Sequence, residues 1–106
     1  METDLRAEVL LSVSRALWGQ VTPELRGVAC RWTGNSAQDA AVQVKFIYER
    51  SPSELEIELV SEAESELWAD FPDGHVECSV LPYQGLLSRV LEQDEEWVYL
   101  RYEPLN

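Results

Sequence analysis

The chain has 106 residues, of which 45% are hydrophobic, and it carries 20 acidic side chains against eight basic ones, giving a net charge of −12. This length accommodates one compact core, so we expect a single domain over residues 1–106. A strongly negative chain repels nucleic acid and anionic lipid, whose recognition depends on Lys and Arg, and attracts basic proteins.

The negative charge is concentrated in the second half of the chain. Residues 1–53 contain six acidic and six basic side chains, which cancel, whereas residues 54–106 contain 14 acidic and two basic ones. The whole net charge therefore comes from the second half, where we expect any surface for a basic partner to lie.

The N-terminal segment lacks the pattern of an export signal. Met1-Glu2-Thr3-Asp4 contains no basic residue, and polar and charged residues interrupt the apolar ones that follow. No apolar run approaches the length of about 20 residues that a membrane-spanning helix needs. We expect a cytoplasmic protein, and in that reducing compartment Cys30 and Cys78 are expected to be reduced thiols in the core.

The first half of the chain predicts a helix followed by two strands. Apolar residues recur at helical spacing from Leu5 to Leu17, and Gly19 is the predicted stop. Alternation of apolar and polar residues then predicts strands over 28–33 and 42–49, separated by a polar loop at 34–39. We expect these two strands to form an antiparallel hairpin.

A second helix is predicted to begin at Ser51-Pro52-Ser53-Glu54, which has the form of a capping box with Pro at the first helical position. Pro72-Asp73-Gly74 is its predicted end. Strands are then predicted over 76–80 and 97–102, and residues 82–96 between them fit either a short helix or a packed loop. The predicted apolar stripe of this helix consists of Leu55, Leu59, Ala63, Leu67 and Phe71, with Val60 alongside.

The predicted element order is α-β-β-α-β-β, which places the protein in the α+β class. Two amphipathic helices on one face of an antiparallel sheet of about four strands would bury both apolar stripes in a two-layer sandwich. The other face of the sheet would remain open.

The second predicted helix also carries acidic residues at i, i+4 spacing, away from its apolar stripe. Like charges at this spacing destabilise a helix by roughly 0.2–0.5 kcal/mol per pair, so helix stability does not account for them. A cationic protein partner would account for them, and the alternative is a solvated face that favours solubility. The row consists of Glu54, Glu58, Glu62, Glu66 and Asp70.

Two further features extend the predicted partner-binding surface. Asp94, Glu95 and Glu96, before the last strand, would add a second acidic patch if the fold places them near the helix. Trp68 lies at the margin of the apolar stripe, where an amphipathic aromatic side chain could anchor an interface.

No catalytic, metal or nucleotide site is recognisable. Asp73, His75 and Glu77 alternate along a strand, but no second histidine or metal-spaced cysteine pair completes a ligand set. As a base for Cys78 or Ser79, His75 lacks an orienting group and a Gly-rich elbow. No Gly-rich phosphate-binding motif occurs. We therefore predict no catalytic activity and no cofactor.

Several segments spread through nearly the whole chain carry a family resemblance. They are Leu10-Leu11 through Ala16-Leu17, the stretch from Pro23 to Val28, Trp32, Ser51-Pro52-Ser53-Glu54, Ala69-Asp70-Phe71-Pro72, and Glu96 to Arg101. These segments resemble small bacterial immunity proteins of contact-dependent growth inhibition and related polymorphic-toxin systems. The resemblance implies a cytoplasmic protein inhibitor that binds a toxin domain delivered by a sister cell, commonly a nuclease, and blocks its active site or another surface it needs.

The charge pattern and the resemblance together favour neutralisation of a basic nuclease toxin through an acidic surface. Carboxylates would compete with phosphates for the Lys and Arg groups of such a toxin. One alternative is an acidic adaptor or regulatory subunit for another basic protein, and a second is a small hydrolase. The open sheet face, with Arg31, Lys45 and Arg101, is the other candidate contact surface.

Overall fold

The computed structural model describes residues 5–82 and 95–100 of the chain. The elements in chain order are α1 (Leu5–Ala16), β1 (Leu25–Thr33), β2 (Ala41–Tyr48), α2 (Glu54–Asp70), β3 (His75–Pro82) and β4 (Glu96–Leu100). The predicted α+β class and the order α-β-β-α-β-β are confirmed. The sequence fits either a short helix or a packed loop over residues 82–96; Pro82 ends β3, Glu96 begins β4, and residues 83–94 lie outside the described residues.

The four strands form one mixed sheet in the order β3-β2-β1-β4. β1 is antiparallel to both β2 and β4, which confirms the predicted hairpin. β2 and β3 are parallel, so the prediction of an antiparallel sheet is wrong for this pair. The reason is the connection: α2 is a 17-residue crossover that returns the chain to the starting end of β2, and a neighbouring strand entered from that end runs parallel.

The core lies between one face of the sheet and the two helices. Alternate residues of β1 and β2 point into it, among them Val28, Val44 and Phe46, each at most 1% exposed. α1 contributes Leu5, Val9 and Val13, at the spacing predicted from the sequence. Both helices therefore cover the same sheet face, as the two-layer prediction required.

The end of α1 determines where the residues after it point. The backbone N–H of Leu17 still bonds the carbonyl oxygen of Val13 (3.1 Å), and Gly19 then adopts a positive φ of 78°. Glycine adopts this left-handed conformation without the steric cost that a Cβ atom brings. This turn ends α1 as predicted, and Trp18 lies in the turn and not in the helix.

The N-terminus of α2 is capped two residues later than predicted. Ser53, not Ser51, is the N-cap, so Pro52 precedes the cap instead of opening the helix. The Ser53 side chain accepts from the backbone N–H of Glu56 (3.2 Å), and the Glu56 carboxylate accepts from the backbone N–H of Ser53 (2.9 Å). The Thr22 hydroxyl also donates to Glu56 (3.0 Å). These bonds hold a carboxylate in a buried position.

The apolar stripe of α2 also differs from the prediction at its first turn. Leu55 is 60% exposed, whereas Glu56 and Val60 are buried together with Ala63 and Leu67. A step of four residues turns about 40° beyond a full helical turn, so a row of five such residues sweeps about 160° around the helix. Such a row is wider than the buried sector of α2, and the buried position in the first turn falls to Glu56.

Cys30 and Cys78 lie on the core side of the sheet but on different sides of β2. Cys30 is paired with Val44, and Val44 is paired with Cys78. Two strand spacings place the cysteines roughly 9–10 Å apart, which is too far for a disulfide. Both are free, and burial raises the pKa of both thiols to about 12. This geometry agrees with the prediction of reduced core thiols.

We expect the Ser53→Ala substitution to lower the free energy of unfolding by about 1 kcal/mol, because it removes the side-chain acceptor of the cap. Urea denaturation followed by circular dichroism measures this loss. Ser65→Ala is the matched control, since Ser65 lies within the same helix and its hydroxyl donates to the Ser61 carbonyl (3.2 Å) and not to the cap. An equal loss in both variants would contradict the assigned cap.

We expect Glu56→Gln to make the stability of the protein less dependent on pH in the acidic range. Burial alone would raise the pKa of Glu56, but the hydrogen bonds from the Ser53 backbone, the Thr22 hydroxyl and the Ser53 hydroxyl outweigh it and lower the pKa. The Glu56 carboxylate therefore binds a proton more readily in the unfolded chain than in the folded one. The stabilisation that ionised Glu56 gives the folded protein is present above the unfolded pKa of about 4.3 and is lost as the pH falls through the folded pKa.

Urea midpoints measured between about pH 7 and pH 3 test this expectation. The difference between wild type and Glu56→Gln should be largest at neutral pH and shrink on acidification. Ser65→Ala, which leaves every carboxylate of α2 in place, should follow the wild-type pH dependence. A Glu56→Gln curve parallel to wild type would remove the assigned role of this carboxylate.

Candidate partner-binding surface

α2 carries seven acidic side chains and no basic one. We call the i, i+4 row on its outer side the acidic face. All five of its residues are exposed, as the sequence predicted. Among the described residues, Arg15 is the only base within salt-bridge distance of the row. The acidic face consists of Glu54, Glu58, Glu62, Glu66 and Asp70.

The C-terminal part of the acidic face borders α1. Asp70 accepts a hydrogen bond from the Ser12 hydroxyl (2.5 Å) and forms a salt bridge with Arg15 (3.0 Å). Glu62 accepts from the side-chain amide of Gln20 (3.4 Å). Ser12 and Arg15 of α1 meet the last residue of α2, whereas Gln20, four residues beyond the end of α1, meets α2 about two turns earlier, so the two helices run antiparallel. The opposite end of the row, at Glu54 and Glu58, has no described side-chain partner.

A groove runs between α1 and α2 beside Glu66. Its volume is about 370 Å³, and we call it the α1–α2 groove. Trp18 forms one wall and is 75% exposed, the largest exposed fraction among the large hydrophobic side chains of the described residues. The groove therefore combines an uncovered indole ring with the carboxylates of the acidic face. It is lined by Ser12, Arg15, Ala16, Trp18, Glu66, Ala69 and Asp70.

Trp68, which the sequence predicted as an anchor, lies on the other flank of α2. It is 37% exposed and packs edge-to-face on His75, with ring centroids 5.8 Å apart. Glu64, on the same flank, accepts a hydrogen bond from the Cys78 backbone N–H (2.9 Å). Two residues correspond to about 200° around a helix, so Trp68 points away from both Glu66 and Asp70.

Sequence reasoning did not single out Trp18 as a contact residue. A signal was nevertheless present, since Trp18 follows the last apolar residue of α1 and directly precedes the Gly19 stop. A large aromatic residue at that position leaves the helix before it can join the buried stripe.

The described residues of the second predicted acidic patch, Glu95 and Glu96, lie away from the acidic face. β4 lies at the far side of the sheet from β3, against which α2 packs. Glu96 forms a salt bridge with Arg6 (2.7 Å), and the hydrogen bond from Arg6 lowers the pKa of Glu96. Glu95 pairs with Lys45 (2.8 Å) and its side chain is 5% exposed. Asp94 lies outside the described residues, and a binding role for these three residues stays a prediction.

Several basic side chains are engaged with polar or acidic groups away from α2. Arg6 and Lys45 pair with the residues that precede or begin β4. Arg50 pairs with Glu24, and Arg31 bonds Gln43 on the open sheet face. The charge of the acidic face is therefore offset only by Arg15 within the described part of the chain.

The structure offers little support for a metal site or a membrane span. Residues 5–82 and 95–100 contain no group of three or more His, Cys, Asp or Glu side chains placed to hold a metal ion. His75 and Glu77 approach to 3.9 Å, and Trp68 covers one side of the histidine. No described helix combines the length and apolar character needed to cross a bilayer.

Comparison with known families supplies the biological context of this surface. Residues 6–103 match the sequence model of the MafI2 immunity proteins. The chain belongs to this family. No curated protein sequence matches the chain significantly. The match covers nearly the whole chain and confirms the predicted resemblance to bacterial toxin immunity proteins.

Membership in the MafI2 immunity protein family indicates a role in toxin neutralisation. This role implies an interaction surface for a cognate toxin protein. The acidic face and the adjoining α1–α2 groove are the strongest candidates for that surface among the described residues.

We expect Glu58→Lys to stabilise the isolated MafI2 family protein by roughly 0.5–1 kcal/mol at low salt, because it converts the repulsive pairs with Glu54 and Glu62 into attractive ones. Urea denaturation at low and at high NaCl measures the gain. Screening should reduce the gain at high salt, and Glu58→Gln should give a smaller one. A destabilised Glu58→Lys variant would show that Glu58 has a favourable contact in the folded protein.

Proposed function

We propose that this protein neutralises a basic toxin domain, a nuclease in the most direct version, by binding it through the acidic face of α2. The observation that carries the proposal is the set of exposed carboxylates on α2, whose row meets only one described base. Family membership supports a toxin as the partner, and the acidic face supports a basic surface on that toxin.

The chemistry of the acidic face matches what a nucleic-acid-cleaving enzyme offers. Such enzymes hold phosphates with Lys and Arg side chains, and carboxylates form charge-assisted hydrogen bonds with the same groups. A row of carboxylates laid over those cations would occupy the binding site of the nucleic acid. Inhibition would then require no catalytic group and no cofactor in the immunity protein.

The energetics of the free protein also support a cationic partner. Repulsion within the acidic face opposes formation of α2, and the last turn of α2 contains no basic residue although helix C-termini favour cations. Both unfavourable terms would diminish when a basic surface docks. Complementary charge would also accelerate association, which suits an inhibitor that must capture a toxin inside the cell.

The first experiment identifies the partner. Tagged protein is used to capture partners from the source bacterium in the cytoplasmic fraction, at low and at high salt, and bound proteins are identified by mass spectrometry. We expect one basic toxin domain whose growth inhibition is relieved by co-expression of the immunity protein. Capture of an acidic toxin, or salt-insensitive binding, would contradict the electrostatic part of the proposal.

We expect Glu58→Lys combined with Glu62→Lys to weaken toxin binding by at least about 2 kcal/mol, because two attractive pairings become repulsive. The fold should tolerate the change, since Glu58 is exposed and the buried Oε1 of Gln20, which has no described partner, can accept a hydrogen bond from Lys at position 62. Isothermal titration calorimetry with the captured toxin measures the loss.

The control variant changes the net charge of the protein by the same amount, but at positions outside α2. Asp73→Lys combined with Glu77→Lys alters two exposed acids outside α2. We expect this control to retain nearly all of the affinity. Equal losses of affinity in both double variants would assign the effect to net charge alone. An unchanged affinity in the Glu58→Lys, Glu62→Lys variant would exclude the acidic face of α2 from the interface.

A further inference from the structure

We propose that the α1–α2 groove receives an Arg or Lys side chain of the toxin, which stacks on Trp18 and pairs with Glu66. This inference rests on the proposed function, because the occupant is a side chain of that basic toxin. It assigns the central anchor of the interface to Trp18, in the turn that follows α1 and outside the acidic row of α2.

The exposure of Trp18 is the first observation behind this assignment. A tryptophan side chain carries a large apolar surface, and 75% of Trp18 remains accessible. The backbone fixes the position of Trp18, because the turn that Gly19 closes with its positive φ leaves the Trp18 side chain outside the core. Tryptophan is enriched among residues that dominate the energetics of protein interfaces.

The shape of the groove favours a side chain of a macromolecule over a free small molecule. Sites for small molecules enclose most of the ligand surface. Here one wall is the exposed Trp18, so the groove of about 370 Å³ is open along its length. A projecting side chain anchored to a protein surface needs no such enclosure, because the rest of the interface excludes water around it.

The charges around the groove favour a cation. Its lining comes from the C-terminal portions of both helices, where the helix dipoles place partial negative charge. Arg15 and Ser12 already bond Asp70, whereas Glu66 has no described hydrogen-bond or salt-bridge partner. An entering cation therefore meets one uncompensated carboxylate and two helix ends of the same sign.

The combination of indole ring and carboxylate fits a guanidinium group especially well. An Arg side chain can lie flat on the Trp18 ring and still direct its N–H groups at Glu66. A Lys ammonium can make the same two contacts with less geometric complementarity. The groove thus selects positively charged side chains, with Arg preferred.

The test uses the captured toxin domain and the whole 106-residue chain. We expect Trp18→Ala to weaken binding at least about 30-fold, in the range of interface anchors, and Glu66→Gln to weaken it about tenfold. Trp68→Ala, which removes the tryptophan on the opposite flank of α2, should change affinity by less than about threefold. Circular dichroism and urea denaturation verify that each variant is folded.

A second measurement identifies the occupant. Arg and Lys residues of the toxin are replaced singly by Gln, and each variant is titrated against wild-type protein and Trp18→Ala. One toxin replacement should weaken binding to wild type and add little further loss in the Trp18→Ala background, because the two residues share one contact.

The outcomes separate the two proposals. If wild type binds the toxin and Trp18→Ala binds equally well, the groove is not the anchor site, while the proposed function stands. If no Arg or Lys of the toxin couples to Trp18, a cationic occupant is excluded. If wild type does not bind the toxin at all, the proposed function fails, and the proposal for the α1–α2 groove fails with it because its occupant is a side chain of that toxin.

Discussion

The crossover from β2 through α2 to β3 is the connection on which the other features of this protein depend. Because β3 pairs in parallel with β2, the chain between them must span the length of the sheet, and α2 does so with 17 residues. Only a narrow sector of that helix reaches the core, through Val60, Ala63 and Leu67. The remaining circumference is available for charge without disturbing the core.

Packing of α1 beside α2 then divides that circumference into two unlike flanks. One flank meets α1, where Ser12, Arg15 and Gln20 contact two of the carboxylates. The other flank meets β3, where Trp68 packs on His75. The acidic face and the exposed Trp18 therefore lie together only because the two helices are antiparallel neighbours on the same face of the sheet. A partner that engages both elements recognises the tertiary structure and not a single helix.

The parts of the fold that were predictable from sequence are those determined by local pattern. Periodicity placed α1 and the β1–β2 hairpin, and the i, i+4 spacing placed the acidic row on the outside of α2. The parallel pairing of β3 was missed because it depends on which strand the chain rejoins after α2, although a helix of that length between two strands is the usual form of a parallel crossover.

Two errors within α2 and one omission have equally physical causes. Leu55 was assigned to the core because a step of four was extended without the rotation that accumulates along the helix. Ser51 was taken as the cap because the Ser-Pro-Ser-Glu segment satisfies the capping pattern in two registers, and only the contacts of Glu56 with Ser53 and Thr22 decide between them. The exposure of Trp18 follows from the Gly19 turn that ends α1, and the omission arose because the stop was predicted without asking where it leaves the preceding side chain.

The hydrogen bond from the Cys78 N–H to Glu64 bears on how the protein behaves at high concentration. His75 directs its own N–H toward Ala40 beside β2, so alternation turns the N–H of Cys78 outward from the sheet. An outward N–H on a terminal strand is a docking point for a strand of another molecule and so a route to aggregation. Here the Glu64 carboxylate already accepts from that N–H, which hinders pairing with a strand of a second copy at this point.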